Sequence, residues 1–133
     1  MNARWALVAT FGLAVAMPLL AHHSVSQEFD SGAVVTLQGT VTKVDWTNPH
    51  VWVYVDVMGA DGKVANWGIE AGTPKRLSDV GLDTRLVAPG QHVAVTAWAA
   101  RNGSKKAGGR TLTLAGNRVF DIHDTWSDPQ FNR

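Results

Sequence analysis

The chain has 133 residues, no cysteine, and 12 Lys+Arg against 11 Asp+Glu, for a formal net charge of +1. That length fits one domain, and the absence of cysteine excludes disulfide stapling of so small a fold. No basic excess of the kind that phosphate-backbone binding exploits is present, so nucleic acid is not an expected partner.

The first element in chain order reads as an export signal. Arg4 supplies a positive start, Trp5 to Ala16 is uncharged and rich in Ala, Leu and Val, and Pro18 ends the apolar run. Leu19-Leu20-Ala21 then offers a small residue at a cleavage position. A spanning helix needs about 20 apolar residues, more than this run supplies before Pro18. Residues 1–21 are therefore expected to be removed, which predicts a periplasmic protein with no stable membrane insertion after processing. Removal takes away Arg4 and no acid. It leaves 133 − 21 = 112 residues with 12 − 1 = 11 basic side chains against 11 acidic ones.

Residues 22–33 read as an N-terminal arm that opens on His22 and His23. Cleavage after Ala21 would give His22 a free α-amine, and that amine with its own Nδ1 can close a chelate ring on a metal. His23 adds a second imidazole, and His50 could supply a third if the arm folds back. Cleavage one residue earlier would also leave a nitrogen-rich site. Such nitrogen ligands suit Cu(II) or Ni(II), so copper is the one cofactor that His22, His23 and His50 imply. Zinc is disfavoured, because there is no cysteine and no His pair at helical spacing. The competing reading is a plain polar leader.

A domain over residues 34–122 follows. "VVTLQGTVTKVDW" (Val34–Trp46) alternates in polarity and changes phase between Val41 and Val44, which predicts a strand with a bulge near Gly39. Thr47–Pro49 is a turn. "HVWVYVDV" (His50–Val57) has strict period two, with four valines on one face and His50, Trp52, Tyr54 and Asp56 on the other. "GADGK" predicts a hairpin loop returning into Val64–Glu70, where Trp67 falls on the core face and Glu70 on the solvated one. Thr73, Pro74 and Gly81 have the grammar of one short capped helix. Gln91–Ala100 predicts a fourth strand with Val93, Val95 and Ala97 inward and Trp98 outward. Arg101–Arg110, Gly-rich and charged, predicts a mobile loop. Residues 110–122 predict a closing strand or hairpin around "AGN", and residues 123–133 a polar tail.

Strands punctuated in this way, with a long bulged first strand and a helix between the third and fourth, predict an all-β, five-stranded barrel of the OB type. A β-sandwich would need more strands. OB barrels bind ligands on the outer face of strands two and three, and here that face carries His50, Trp52 and Tyr54, with Trp98 and the Arg101–Arg110 loop expected nearby. Exposed aromatic patches mark contact surfaces. The expectation is thus a non-catalytic module that binds a protein or small ligand through Trp52, Tyr54, Trp98 and His50. The competing reading has these rings covered by the helix, arm or tail. His92 and His123 read as solvent-exposed. No nucleophile elbow, paired carboxylates or phosphate-cradling loop is present, so no enzyme activity is expected.

The stretches "AHHSVSQEFD", "LQGTVTKVDWTNPHVWVYVDV", "DGKVANWGIEAG" and "LVAPGQHVAV" together resemble a bacterial family of small exported proteins, domain of unknown function 6152. The resemblance covers Ala21 to about Phe120. It implies relatives with counterparts of His22, His23 and His50, whereas His92 falls where a polar or acidic residue is more usual and His123 lies beyond it. "VGLDTR" departs from the family pattern, which puts the end of the helix in doubt. The resemblance implies no activity.

Overall fold

A computed structural model of the chain describes residues 25–123. After a single helical turn, α1 (Val25–Glu28), come strands β1 (Phe29–Asp45), β2 (Trp52–Met58) and β3 (Val64–Glu70). Helix α2 (Pro74–Asp79) follows, then β4 (His92–Ala100), β5 (Lys106–Leu114) and β6 (Arg118–Asp121). The strands form one sheet in the order β3-β2-β1-β4-β5-β6, and an additional β3–β5 pairing closes it. Five strands thus make a ring, β1-β2-β3-β5-β4, in which the β3–β5 pair is parallel and the other pairs are antiparallel. The sixth strand lies outside the ring, hydrogen-bonded to β5.

Period-two alternation sorts each strand between core and surface. Val51, Val53 and Val55 are buried inside the ring, facing Ile69, Val93, Val95, Ala97 and Leu112. The phase change in β1 is a bulge: the register with β2 shifts between Val41 and Lys43. The extra residue is Thr42, three positions beyond Gly39, and it lets both Val41 and Val44 point inward. Gly39 has a different task. It pairs with Val57 on one side and Val93 on the other, and a Cβ there would fall 1.9 Å from the Asp56 carbonyl oxygen. The glycine permits the close strand approach at which β1 bends around the barrel.

The predicted helix forms as its caps dictate. Thr73 Oγ1 accepts the Arg76 N–H at 3.1 Å, Pro74 occupies the first turn, and Leu77 is fully buried. Gly81, at φ +84°, donates to Ser78 O, and Leu82 N–H donates to Leu77 O. This is a Schellman ending, and it settles the helix end despite the family departure at "VGLDTR". Leu77 and Leu82 join the barrel core.

Two expectations are corrected here. Strand pairing begins at Phe29, within the expected arm, because Phe29 pairs with Ala100. The Gly-rich segment is also largely strand: only Arg101–Lys105 forms a loop, and Lys106–Arg110 belongs to β5. Its glycines serve close packing. A Cβ on Gly108 would lie 2.9 Å from Phe29 Cδ2, and one on Gly109 2.6 Å from Ile122 Cδ1 and 3.1 Å from Glu70 O.

Candidate functional site

The β2–β3 hairpin sets out its outer face in rows. Register pairs Trp52 with Glu70, Tyr54 with Gly68, Asp56 with Asn66 and Met58 with Val64. Alternation turns all eight outward, since Val53, Val55 and Ile69 between them are buried in the core. The Trp52 and Tyr54 rings stack along β2 with centroids 6.5 Å apart and planes 24° from parallel. Gly68 brings no side chain to the middle of the β3 row. A Cβ there would sit 3.5 Å from Tyr54 Cε1 and 3.6 Å from Trp52 Cε3, so both rings lean over its backbone. The outcome is an open trough of roughly 260 Å³, lined by Trp52, Tyr54, Asn66, Gly68, Lys105 and Lys106.

Its far wall comes from the closure of the barrel. Gly68 N–H donates to Lys105 O at 3.0 Å, and the parallel pairing runs from Gly68–Lys106 to Glu70–Gly108. Beyond Gly68 the two strands part, leaving the loop end of β5 as a wall. Lys106 and Lys43 stand over the outward rings, whereas Lys105, the loop residue next to Lys106, lies over Trp67 at the core margin. Lys106 Nζ lies 5.6 Å from the Trp52 centroid, Lys105 Nζ 5.0 Å from that of Trp67, and Lys43 Nζ 5.2 Å from that of Tyr54. Each is within range of a cation–π contact.

The nearby carboxylates are engaged. Asp56 Oδ1 accepts from Asn66 Nδ2 at 2.8 Å, and Asp45 accepts from Lys43 at 2.8 Å. That hydrogen bond holds the Lys43 ammonium above its ordinary pKa, keeping it charged. Glu28 stands 3.8 Å from Lys106. Glu70 meets Nδ1 of His50, and the two side chains are only 15% and 17% exposed. The trough lining itself holds two lysines and no acid.

The structure thus brings together Trp52, Tyr54 and, one step along, His50. Glu70, expected to be solvated, is instead the half-buried partner of His50. Trp98 does not join the stripe. It is buried in a small cluster with Phe29 and Ala100, beneath the guanidinium of Arg110 at 5.2 Å. The cause is the early start of β1, which lays Phe29 against the outer side of β4 and β5. Trp67 packs at the margin of the core, half-buried beneath Lys105. His92 is exposed as expected, while His123 is partly covered and pairs with Asp121. His22 and His23 lie outside the described residues. Among the described residues, no group of three or more His, Cys, Asp or Glu side chains is placed to hold a metal.

Sequence reasoning missed Gly68 and Lys43, and it placed Lys105 and Lys106 beside the stripe only as part of the Arg101–Arg110 loop. A signal for Gly68 existed: counting register back from the "GADGK" hairpin places it opposite Tyr54. Lys43 had none, because its approach to Tyr54 depends on the bulge and pairing of β1 with β2.

A closed five-strand ring with a parallel β3–β5 seam and a helix between β3 and β4 defines the class: an OB-type barrel. A family model described as "Family of unknown function (DUF6152)" matches residues 11–110, and the chain belongs to that family. No curated protein matches it. Among solved structures, one similar chain is the mitochondrial single-stranded DNA binding protein Rim1 from S. cerevisiae. It is 17% identical with a TM-score of 0.48, and the match covers 68% of this chain and 99% of that one.

Proposed function

We propose that this protein is an exported, non-catalytic binding or accessory module that recognises its ligand, a small molecule or part of a partner protein, on the β2–β3 face. The carrying observation is the contrast within one strand. The inward Val53 and Val55 of β2 are sealed, while its outward rings are only partly covered and flank an open trough. Large rings kept part-exposed give up part of a burial that is worth roughly 1.5–3 kcal/mol apiece when complete, and aromatic patches of this kind mark contact sites. The export signal read at residues 1–21 supports a periplasmic setting.

A mixed set of small ring compounds, titrated into the ¹⁵N-labelled protein and followed by NMR, tests the reading. Shifts concentrated at Trp52, Tyr54 and Gly68, and abolished by Trp52→Ala/Tyr54→Ala, are the expected result. Shifts concentrated elsewhere on the barrel overturn it.

A second reading, copper binding by His22 and His23 with His50 as third imidazole, keeps one specific support. A carboxylate on one ring nitrogen, as Glu70 is on His50 Nδ1, is the arrangement that orients metal-binding histidines. Its test is a Cu(II) titration of the exported protein read by EPR. Spectra unchanged in both His22→Ala/His23→Ala and His50→Ala variants would remove it.

A further inference from the structure

The trough has a size and a polarity that specify more than "ligand". An apolar cavity of about 150 Å³ accepts a benzene, and pockets for drug-sized molecules begin near 300 Å³. A trough of roughly 260 Å³ therefore holds one ring and one substituent. Its near wall is the Trp52–Tyr54 pair, whose faces offer stacking to a planar ring or to the C–H face of a sugar. Its far wall is Lys105 and Lys106.

The lining itself supplies no acid to meet the charges on that wall. Lys105 makes no ion pair with any described residue and lies over Trp67, and Lys106 pairs loosely with Glu28, which is outside the lining, at 3.8 Å. Two acids flank Gly68 in the outward rows: Glu70 pairs with His50, and Asp56 is oriented by Asn66 while keeping its charge, and neither is part of the lining. Asn66 donates through Nδ2 to both Thr42 Oγ1 and Asp56 Oδ1. Its second polar atom, Oδ1, is an acceptor only.

We propose that the Gly68 trough seats a single ring bearing an acid group, the ring lying on Trp52 and Tyr54 and the acid meeting Lys106, with Lys105 next to it on the wall. The inference rests on the binding-face reading above and adds the chemical class of the ligand. The ring can belong to a sugar acid or to an aromatic acid; both present a flat apolar surface next to a carboxylate. A charge-assisted hydrogen bond is roughly twice as strong as a neutral one, so the acid is the discriminating group.

The test uses the full chain as expressed and exported, ¹⁵N-labelled, with five probes: benzoate, benzyl alcohol, methyl glucuronide, methyl glucoside and acetate. Benzoate, methyl glucuronide or both are expected to shift Gly68, Tyr54 and Trp52 with affinity about tenfold above the neutral counterpart and above acetate. Response to benzoate alone identifies an aromatic acid, and response to the glucuronide identifies a sugar acid. Lys105→Ala/Lys106→Ala removes the preference, whereas Lys105→Arg/Lys106→Arg retains it. Equal binding of the neutral rings, or of acetate, overturns the acid assignment while leaving the face as a binding surface. An absence of trough shifts with all five probes overturns the inference, and the mixed-ring titration decides the fate of the face separately.

Discussion

The barrel carries two aromatic groupings on its outer surface, and they have opposite fates. On β4, Trp98 is sealed by Phe29, which lies against Gly108 of β5. On β2, Trp52 and Tyr54 remain part-exposed and lean over Gly68 of β3. In each case a glycine in a neighbouring strand makes room beside a ring. At Gly108 the room is taken by the chain's own phenylalanine, and at Gly68 it stays open as a trough. Both glycines sit at the same seam, where Gly68 pairs with Lys106 and Glu70 with Gly108. The difference lies in whether a strand crosses outside them, and only β1, through its first residue, does so. The first grouping is thus an extension of the core, while the second has the character of a recognition surface.

The sharpest way to break the comparison is to empty the sealed side. Phe29 is 1% exposed, and Phe29→Ala should cost about 3–5 kcal/mol of stability, measurable by urea denaturation. The NMR shifts of Trp52, Tyr54 and Gly68 should stay near their wild-type values. Large shifts across that face would show that the two groupings are one cooperative surface.

Overfilling the same side should have a smaller effect. Gly108→Ala places a methyl 2.9 Å from the Phe29 ring, which should cost about 1–3 kcal/mol. Combined with Phe29→Ala the cost should fall well short of the sum, because the colliding ring is gone. Additive costs would mean that the glycine serves something other than Phe29. On the open side, Trp52→Ala should cost about 1–1.5 kcal/mol, roughly half the value of a fully buried ring, while sharply weakening any ring probe.

What could be read from sequence follows the range of the interaction. The alternation of Val51, Val53 and Val55 and the caps at Thr73, Pro74 and Gly81 are local signals, and each element formed where they pointed. The bulge was legible as a phase change, though the unpaired residue is Thr42. The composition of Arg101–Arg110 misled because Gly-rich and charged stretches usually stay loose. Here Gly108 and Gly109 are required by Phe29 and Ile122, which are distant in sequence. Trp98 misled for the same reason: its cover arrives from the far end of β1. The pairing of His50 with Glu70 follows from the hairpin register, whereas the approach of Lys106 to Trp52 depends on how the ring closes.

The smallest expected effect separates the two groupings most cleanly, because it repeats one substitution with the opposite sign. A Cβ at Gly68 would find its nearest neighbours at 3.5–3.6 Å, ordinary contact, and the backbone there is not in the left-handed region. Gly68→Ala should therefore be accepted without strain. Glycine within a strand is less stable than alanine by roughly 0.5–1 kcal/mol, chiefly through chain entropy. The variant should accordingly gain about that much in urea denaturation, where Gly108→Ala loses. The added methyl also stands on the floor of the trough beneath both rings, so binding of a ring probe should weaken as stability rises. A gain in stability with unchanged probe affinity would place the binding surface elsewhere on the barrel. A loss of stability would mean that β3 packs more tightly against the aromatic pair than an open trough allows. Opposed signs in stability and affinity are the outcome expected of a glycine whose missing side chain makes room for a ligand, not for the fold.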